Sequence, residues 1–265
     1  MILKRLVLLP CALAVAFASN AQQTSTPSQP QPVRDAQAIT VVQSAIAALG
    51  GARAVVAISD ATVTGTEQAS SDPDATPATF AWQTSGVEFS STVQNSNGTY
   101  TEVSGHGVPA QFKNGTWILM STYVSRAELP FHLPILALYA EIQNPNITFQ
   151  FVGSSTVEGK PAIHVHVADN SDSMGQLVTA QEWYFDPASY LPVRVEYKWP
   201  DKGNPNDSSP GALEFSNYNV VSGVIVPFQL KIQVSQLILQ ATVTSAIFNS
   251  GLPASTFDPP AGSIQ

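Results

Sequence analysis

The sequence predicts an α+β protein, a strongly curved antiparallel sheet covered by a few helices, and three observations carry this. Apolar and polar residues alternate with one wet face: Val193, Val195, Tyr197 and Trp199 point one way, Arg194, Glu196 and Lys198 the other. That period of two belongs to antiparallel strands rather than to a parallel sheet buried on both sides. Short β-branched and aromatic runs also follow one another through Gly, Asn, Asp or Pro turns, so strands that meet in sequence form a meander. Helical spacing interrupts them at residues 36–49 and 121–143 only.

The chain opens with Lys4 and Arg5, an apolar run over 6–17, and small residues such as Ala16, Ala18, Ser19 and Ala21. This is the layout of a secretory signal peptide, expected here over residues 1–21. The run is shorter than the ~20 residues that span a bilayer. Pro10 before Cys11, and apolar residues beyond it, argue against a lipid-modified cysteine. Cleavage would remove the single cysteine and, with Lys4 and Arg5, take the net charge from −8 to −10. The mature protein would then have no disulfide and no thiol chemistry. Its acidic balance argues against nucleic acid and against anionic membrane surfaces. No later run reaches spanning length, so the mature form is expected to have no transmembrane anchor and to be periplasmic or secreted.

Residues 22–35, rich in Pro, Gln, Ser and Thr, read as a flexible linker. Residues 36–265 show one composition regime and no repeat, and read as a single domain. In 36–49, Ile39, Val42, Ile46 and Leu49 share a helical stripe that Gly50-Gly51 stops. Strands are expected at 62–67, 79–84, 87–93, 99–104 and 116–120, with Asn97-Gly98 and Asn114-Gly115 as two-residue turns that need positive φ. Residues 123–128 fit one or two helical turns. Pro134 suits the first position of a helix over 134–143. That helix is apolar nearly all round, so it is buried or covers something apolar. From 146 onward strands return, with Phe228, Leu230, Ile232 and Val234 alternating with Gln229, Lys231 and Gln233.

Catalytic motifs are missing: there is no Gly-x-Ser-x-Gly, no phosphate-binding glycine loop and no His-Glu-x-x-His. His164 and His166 lie two apart on a strand, so their imidazoles share a side and could share a metal. With Ile163, Val165 and Val167 toward the core, both histidines instead belong to the wet face, as do Glu182 and Glu196. No catalytic residue, metal ligand or cofactor is therefore assigned. The apolar segment 129–136 is more informative, because it must be buried or cover an apolar ligand. Helices capping a curved sheet leave a natural cavity between the layers. The expected ligand-binding residues are Leu129, Phe131, Leu133, Leu136, Tyr139 and Ile142 from a helical lid, with Phe228, Leu230 and Ile232 from the sheet wall.

In order, Trp183-Tyr184-Phe185-Asp186-Pro187, Leu191-Pro192-Val193-Arg194, Gly223-Val224-Ile225-Val226-Pro227, Asn249-Ser250-Gly251-Leu252 and Phe257-Asp258-Pro259 punctuate the C-terminal half. This series resembles the LolA/LolB-like periplasmic lipoprotein-carrier superfamily, loosely over 36–260 and most pointedly over 183–260. The resemblance implies an incomplete β-barrel curved around a hydrophobic cavity, lidded by helices, that holds acyl chains or other lipids without catalysis. The lipobox cysteine of the outer-membrane receptor member is missing. The expected function is thus an exported, soluble, non-enzymatic carrier of a lipid, a lipoprotein acyl chain or another apolar small molecule, with envelope proteins as further partners. Two alternatives stay open: a secreted metal-dependent hydrolase using His164 and His166, and a non-enzymatic envelope scaffold or sensor module.

Overall fold

The computed structural model describes residues 32–127, 129–201 and 204–263. The expected signal peptide and linker residues 22–31 lie outside the described residues. Order begins before the first helix: Arg34 pairs with Phe149, and its guanidinium donates to the carbonyls of Ile142, Asn144 and Ile147. Asp35 then caps α1 (Ala36–Ala48), accepting from the backbone N–H groups of Gln37 and Ala38. Ala38, Val41, Val42, Ala45, Ile46 and Leu49 form its buried stripe. Gly50 and Gly51, at φ 127° and 84°, end it and lead into the short α2 (Ala52–Val56).

Thirteen strands among the described residues form one antiparallel sheet: β1 (Ala61–Ala69), β2 (Ala78–Ser85), β3 (Glu88–Asn95), β4 (Gly98–Gly105), β5 (Val108–Lys113), β6 (Thr116–Leu119), β7 (Ile147–Val157), β8 (Lys160–Asp169), β9 (Gln181–Phe185), β10 (Pro192–Pro200), β11 (Ser208–Val221), β12 (Val224–Val234) and β13 (Leu237–Phe248). Consecutive hairpins run outward from β1 to the edge strand β6. A second series returns from the opposite edge, β7, to β13, which pairs with β1. The link between β6 and β7 must therefore cross from one sheet edge to the other. It carries α3 (Thr122–Ala127) and α4 (Pro134–Gln143). The topology itself puts these helices over the sheet, where α4 packs on α1 and α2.

Two adjacent lid residues measure the curvature. Phe131 lies 5.0 Å from Tyr197 on β10, ring centre to ring centre, and His132 lies 5.1 Å from Trp82 on β2. In the sheet β2 and β10 are five strand spacings apart, or about 24 Å if flat. Neighbouring residues reach both because the sheet bends around them, while its two edge strands stay unpaired with each other: an open, incomplete barrel. Register shifts at Thr64/Gly65, Phe151/Gly153 and Pro192/Arg194 mark local bulges that add bend. At Gly65 a side chain is sterically barred, since an added Cβ would fall 2.1 Å from the carbonyl oxygen of Thr242, and the Phe80 ring covers the gap.

Several sequence expectations need adjustment. Strand β5 escaped the reading because Pro109 breaks its pattern. Asn114 and Gly115, at φ 54° and 81°, form the expected two-residue turn. The β3–β4 turn, however, is Ser96-Asn97, with Gly98 already paired to Asn95. Val193 sits at the bulge and leaves the inward row, where Val195 is fully buried and Tyr197 packs on the core. The short helix α5 (Ser173–Val178), capped by Asp172, was read as strand and hairpin.

Candidate ligand-binding site

Sequence order explains the lid. Pro134 takes the first helical position of α4, where its missing N–H costs nothing. Ahead of it, residues 129–133 dip into the concave side of the sheet. Phe131 stacks on Tyr197 and meets Trp183 edge-on at 6.0 Å, while Leu133 is completely buried. Along α4, Pro134, Ile135, Ala137, Leu138 and Glu141 are buried, and Leu136, Tyr139 and Ile142 are half-buried.

All nine residues expected from the sequence meet in one hydrophobic cluster. Phe131, Leu133 and Leu230 belong to its buried heart; Leu129, Leu136, Tyr139, Ile142, Phe228 and Ile232 pack against it. The sequence reading missed the aromatic wall opposite the lid: Phe149, Trp183, Phe185, Tyr197 and Phe215. In the conformation described, the lid's own side chains fill the space between helices and sheet.

Polar groups are buried within this apolar setting. Trp183 Nε1–H donates to Gln181 Oε1 at 2.7 Å, and Gln181 Nε2 donates to Glu141 Oε1 at 2.6 Å. Glu141 Oε2 has no partner, and burial raises the carboxyl pKa to about 8 despite the Gln181 bond. His132 lies between the rings of Trp82 and Phe89; its Nε2 has no partner, and burial lowers its pKa to about 3. A cleft of about 210 Å³ opens beside Glu141 and Gln181, with Leu129, Arg126 and Val87 on its rim. A signal for this relay exists in the sequence: Glu141 is the lone charge in an apolar helix, and Gln181 shares a strand face with Trp183 and Phe185.

The outer face is chemically different. His164 Nε2 and His166 Nδ1 donate to the two oxygens of Glu182 at 2.6 and 2.8 Å, and His164 stacks on Tyr184. Partial burial works to raise the Glu182 pKa, but the bonds from His166 and His164 outweigh it and hold it below the usual value. The pattern continues through Arg194, which donates to Glu196 and Glu214, to Lys231, which donates to Glu214 and Glu158. Among the described residues no group of three or more His, Cys, Asp or Glu side chains is placed to hold a metal. A cleft of about 390 Å³ lies on this side, among Glu158, Lys160, Asp186, Glu214 and Lys231. Its charges suit water better than an acyl chain.

No family model matches the chain, and no curated protein matches it in sequence. Solved structures do match. A LolA superfamily protein from Nitrosomonas europaea aligns with TM-score 0.51 and 10% identity, over 84% of this chain and 97% of that one. The chain has a LolA-like fold. A domain assigned to an outer-membrane lipoprotein-sorting protein of Vibrio parahaemolyticus shares the LolA-like fold at TM-score 0.53 and 14% identity, covering 83% and 95% of the two chains. A DUF1329 family protein from Desulfovibrio piger aligns at TM-score 0.50 and 13% identity, over 83% and 96%. At such identities the likeness is one of fold. Among the described residues, no helix of this LolA-like chain is long and apolar enough to cross a membrane.

Proposed function

We propose that the protein is an exported, non-enzymatic carrier that holds a lipid, a lipoprotein acyl chain or another apolar ligand between its curved sheet and its helical lid. One observation carries this reading: the single connection from β6 to β7 fills an apolar, aromatic-lined concavity of the sheet with Phe131, Leu133 and Leu138. An acyl chain offers the same surface as those side chains. Each CH₂ it buries contributes about 0.8 kcal/mol, so contact alone can favour exchange of lid for ligand. Leu129, Phe131, Leu133, Leu136, Tyr139 and Ile142 are proposed to line the ligand from the lid, and Phe228, Leu230 and Ile232 from the sheet. Export rests on the signal peptide expected over residues 1–21, and a lipoprotein-sorting relative of the same fold supports the ligand class.

Quenching of tryptophan fluorescence by a phospholipid brominated in its acyl chains tests the reading. Trp183 is fully buried beside Phe131, so saturable quenching that falls sharply in Trp183→Phe is expected. Quenching that does not saturate, or that is unchanged in Trp183→Phe, contradicts it.

A further inference from the structure

The buried residues of α4 are Pro134, Ile135, Ala137, Leu138 and Glu141, so a carboxyl stands where the helical pattern calls for an apolar residue. Among the described residues its carboxyl bonds to Gln181, which in turn satisfies the indole N–H of Trp183. Gln181 Nε2 donates one of its N–H groups to Glu141 Oε1. Oε2 is surplus to that relay and lacks a partner, although Glu141 is only 4% exposed. Buried polar atoms are normally hydrogen-bonded, and an unpaired one is costly enough to need a reason.

The surroundings supply one. Glu141 and Gln181, with Ile147 and Thr179, are the buried members of the cleft between α3–α4 and β8–β9, while Leu129 and Arg126 stand at its rim. Leu129 joins this polar floor to the apolar core occupied by Phe131. An anionic head is disfavoured here. Arg126 is the one cation among the cleft's lining residues, and its guanidinium is already paired with Asp169 and Asp172 at 2.9 and 3.0 Å.

Resting on the carrier reading, the geometry points to a head-group subsite in which Glu141 hydrogen-bonds the uncharged polar head of an amphiphile, an ester or hydroxyl at the end of an acyl chain, while the chain enters the core past Leu129. Burial keeps the Glu141 carboxyl largely protonated near neutral pH, so Oε2 can donate to an ester or hydroxyl oxygen as well as accept from a hydroxyl.

Affinities of the full chain for monooleoylglycerol, oleate and hexadecane, measured by displacement of a fluorescent apolar probe at pH 7, test the subsite. Wild type is expected to prefer monooleoylglycerol to oleate. Glu141→Leu, which completes the apolar stripe, is expected to weaken monooleoylglycerol about tenfold, the worth of one hydrogen bond, and to change hexadecane less than threefold. Glu141→Gln, which keeps a hydrogen-bonding group, should retain the preference. If hexadecane and monooleoylglycerol bind but Glu141→Leu weakens both equally or neither, the subsite is wrong and the carrier reading stands. If none of the three ligands binds, the carrier reading fails and the subsite falls with it.

Discussion

Gln181 on β9 donates a 2.6 Å hydrogen bond to Glu141 on α4, so the lid is joined to the sheet wall through two polar side chains that are almost fully buried. This bond ties α4 to the sheet through a carboxyl whose pKa burial raises. Burial raises the Glu141 pKa from 4.5 to about 8, so the folded state prefers the protonated acid. Its contribution is complete below pH 4.5 and is lost as pH rises through about 8. On its own this group would make stability fall over that range by on the order of a few kcal/mol, and Glu141→Gln should remove that slope. An unchanged slope in the variant would show that another group sets it.

His132 acts in the opposite direction. Its folded pKa is lowered from 6.5 to about 3, so the unfolded chain takes up a proton that the folded one refuses. Its contribution is present above pH 6.5 and is lost as pH falls toward 3. Together these two groups predict a plateau of melting temperature between about pH 4.5 and 6.5, falling on both sides. His132→Phe, a ring between the rings of Trp82 and Phe89, should flatten the acid side below about pH 4.5 and turn the plateau into a fall that begins there.

Phe131 stacks on Tyr197 with ring centres 5.0 Å apart. Truncating a buried phenylalanine costs about 3–5 kcal/mol, so Phe131→Ala should melt well below wild type. A carrier whose lid competes with its ligand for one space makes a second prediction: saturating hexadecane should raise the melting temperature of Phe131→Ala more than that of wild type. Equal shifts would separate Phe131 from the ligand space.

Asp60 separates stability from binding. Its carboxylate accepts from the backbone N–H groups of Ser250 and Gly251 and from the hydroxyls of Ser250 and Ser59, clasping the chain after β13 to the start of β1. Asp60→Ala is expected to lower the melting temperature by roughly 5–10 °C and to leave affinity for an apolar probe unchanged at a temperature where it is folded.

On the outer face, one carboxylate already receives both His164 and His166. Added zinc should leave the melting temperature unchanged, and Glu182→Gln, which keeps an oxygen that can accept from a histidine, should lower stability by on the order of 1 kcal/mol. Zinc stabilisation abolished by His166→Ala would restore the metal reading.

What the sequence made legible follows from local rules. Helix α4 runs from Pro134 to Gln143 as its proline and apolar run predicted, and the lid and wall candidates converge because alternation and helical spacing report which side is apolar. Strand β5 was lost where Pro109 broke the pattern, and α5 where six residues were too few to show a period. Val193 left its face because a bulge shifts the register, which alternation cannot foresee. Glu141 and Gln181 meet across 40 positions, and the aromatic wall gathers residues from four strands, with Trp183 and Phe215 lying 32 positions apart. No spacing encodes those, although a carboxyl in an apolar helix was a visible clue.

Carriage of an apolar ligand between sheet and lid can be read from native mass spectrometry of the purified full chain. A carrier should show a discrete added mass corresponding to one or two lipid molecules, either co-purified or taken up from monooleoylglycerol, and less of it in a variant with Leu230 and Phe228 changed to Asn. A spectrum showing only the bare chain under both conditions, from protein verified as folded, would contradict it.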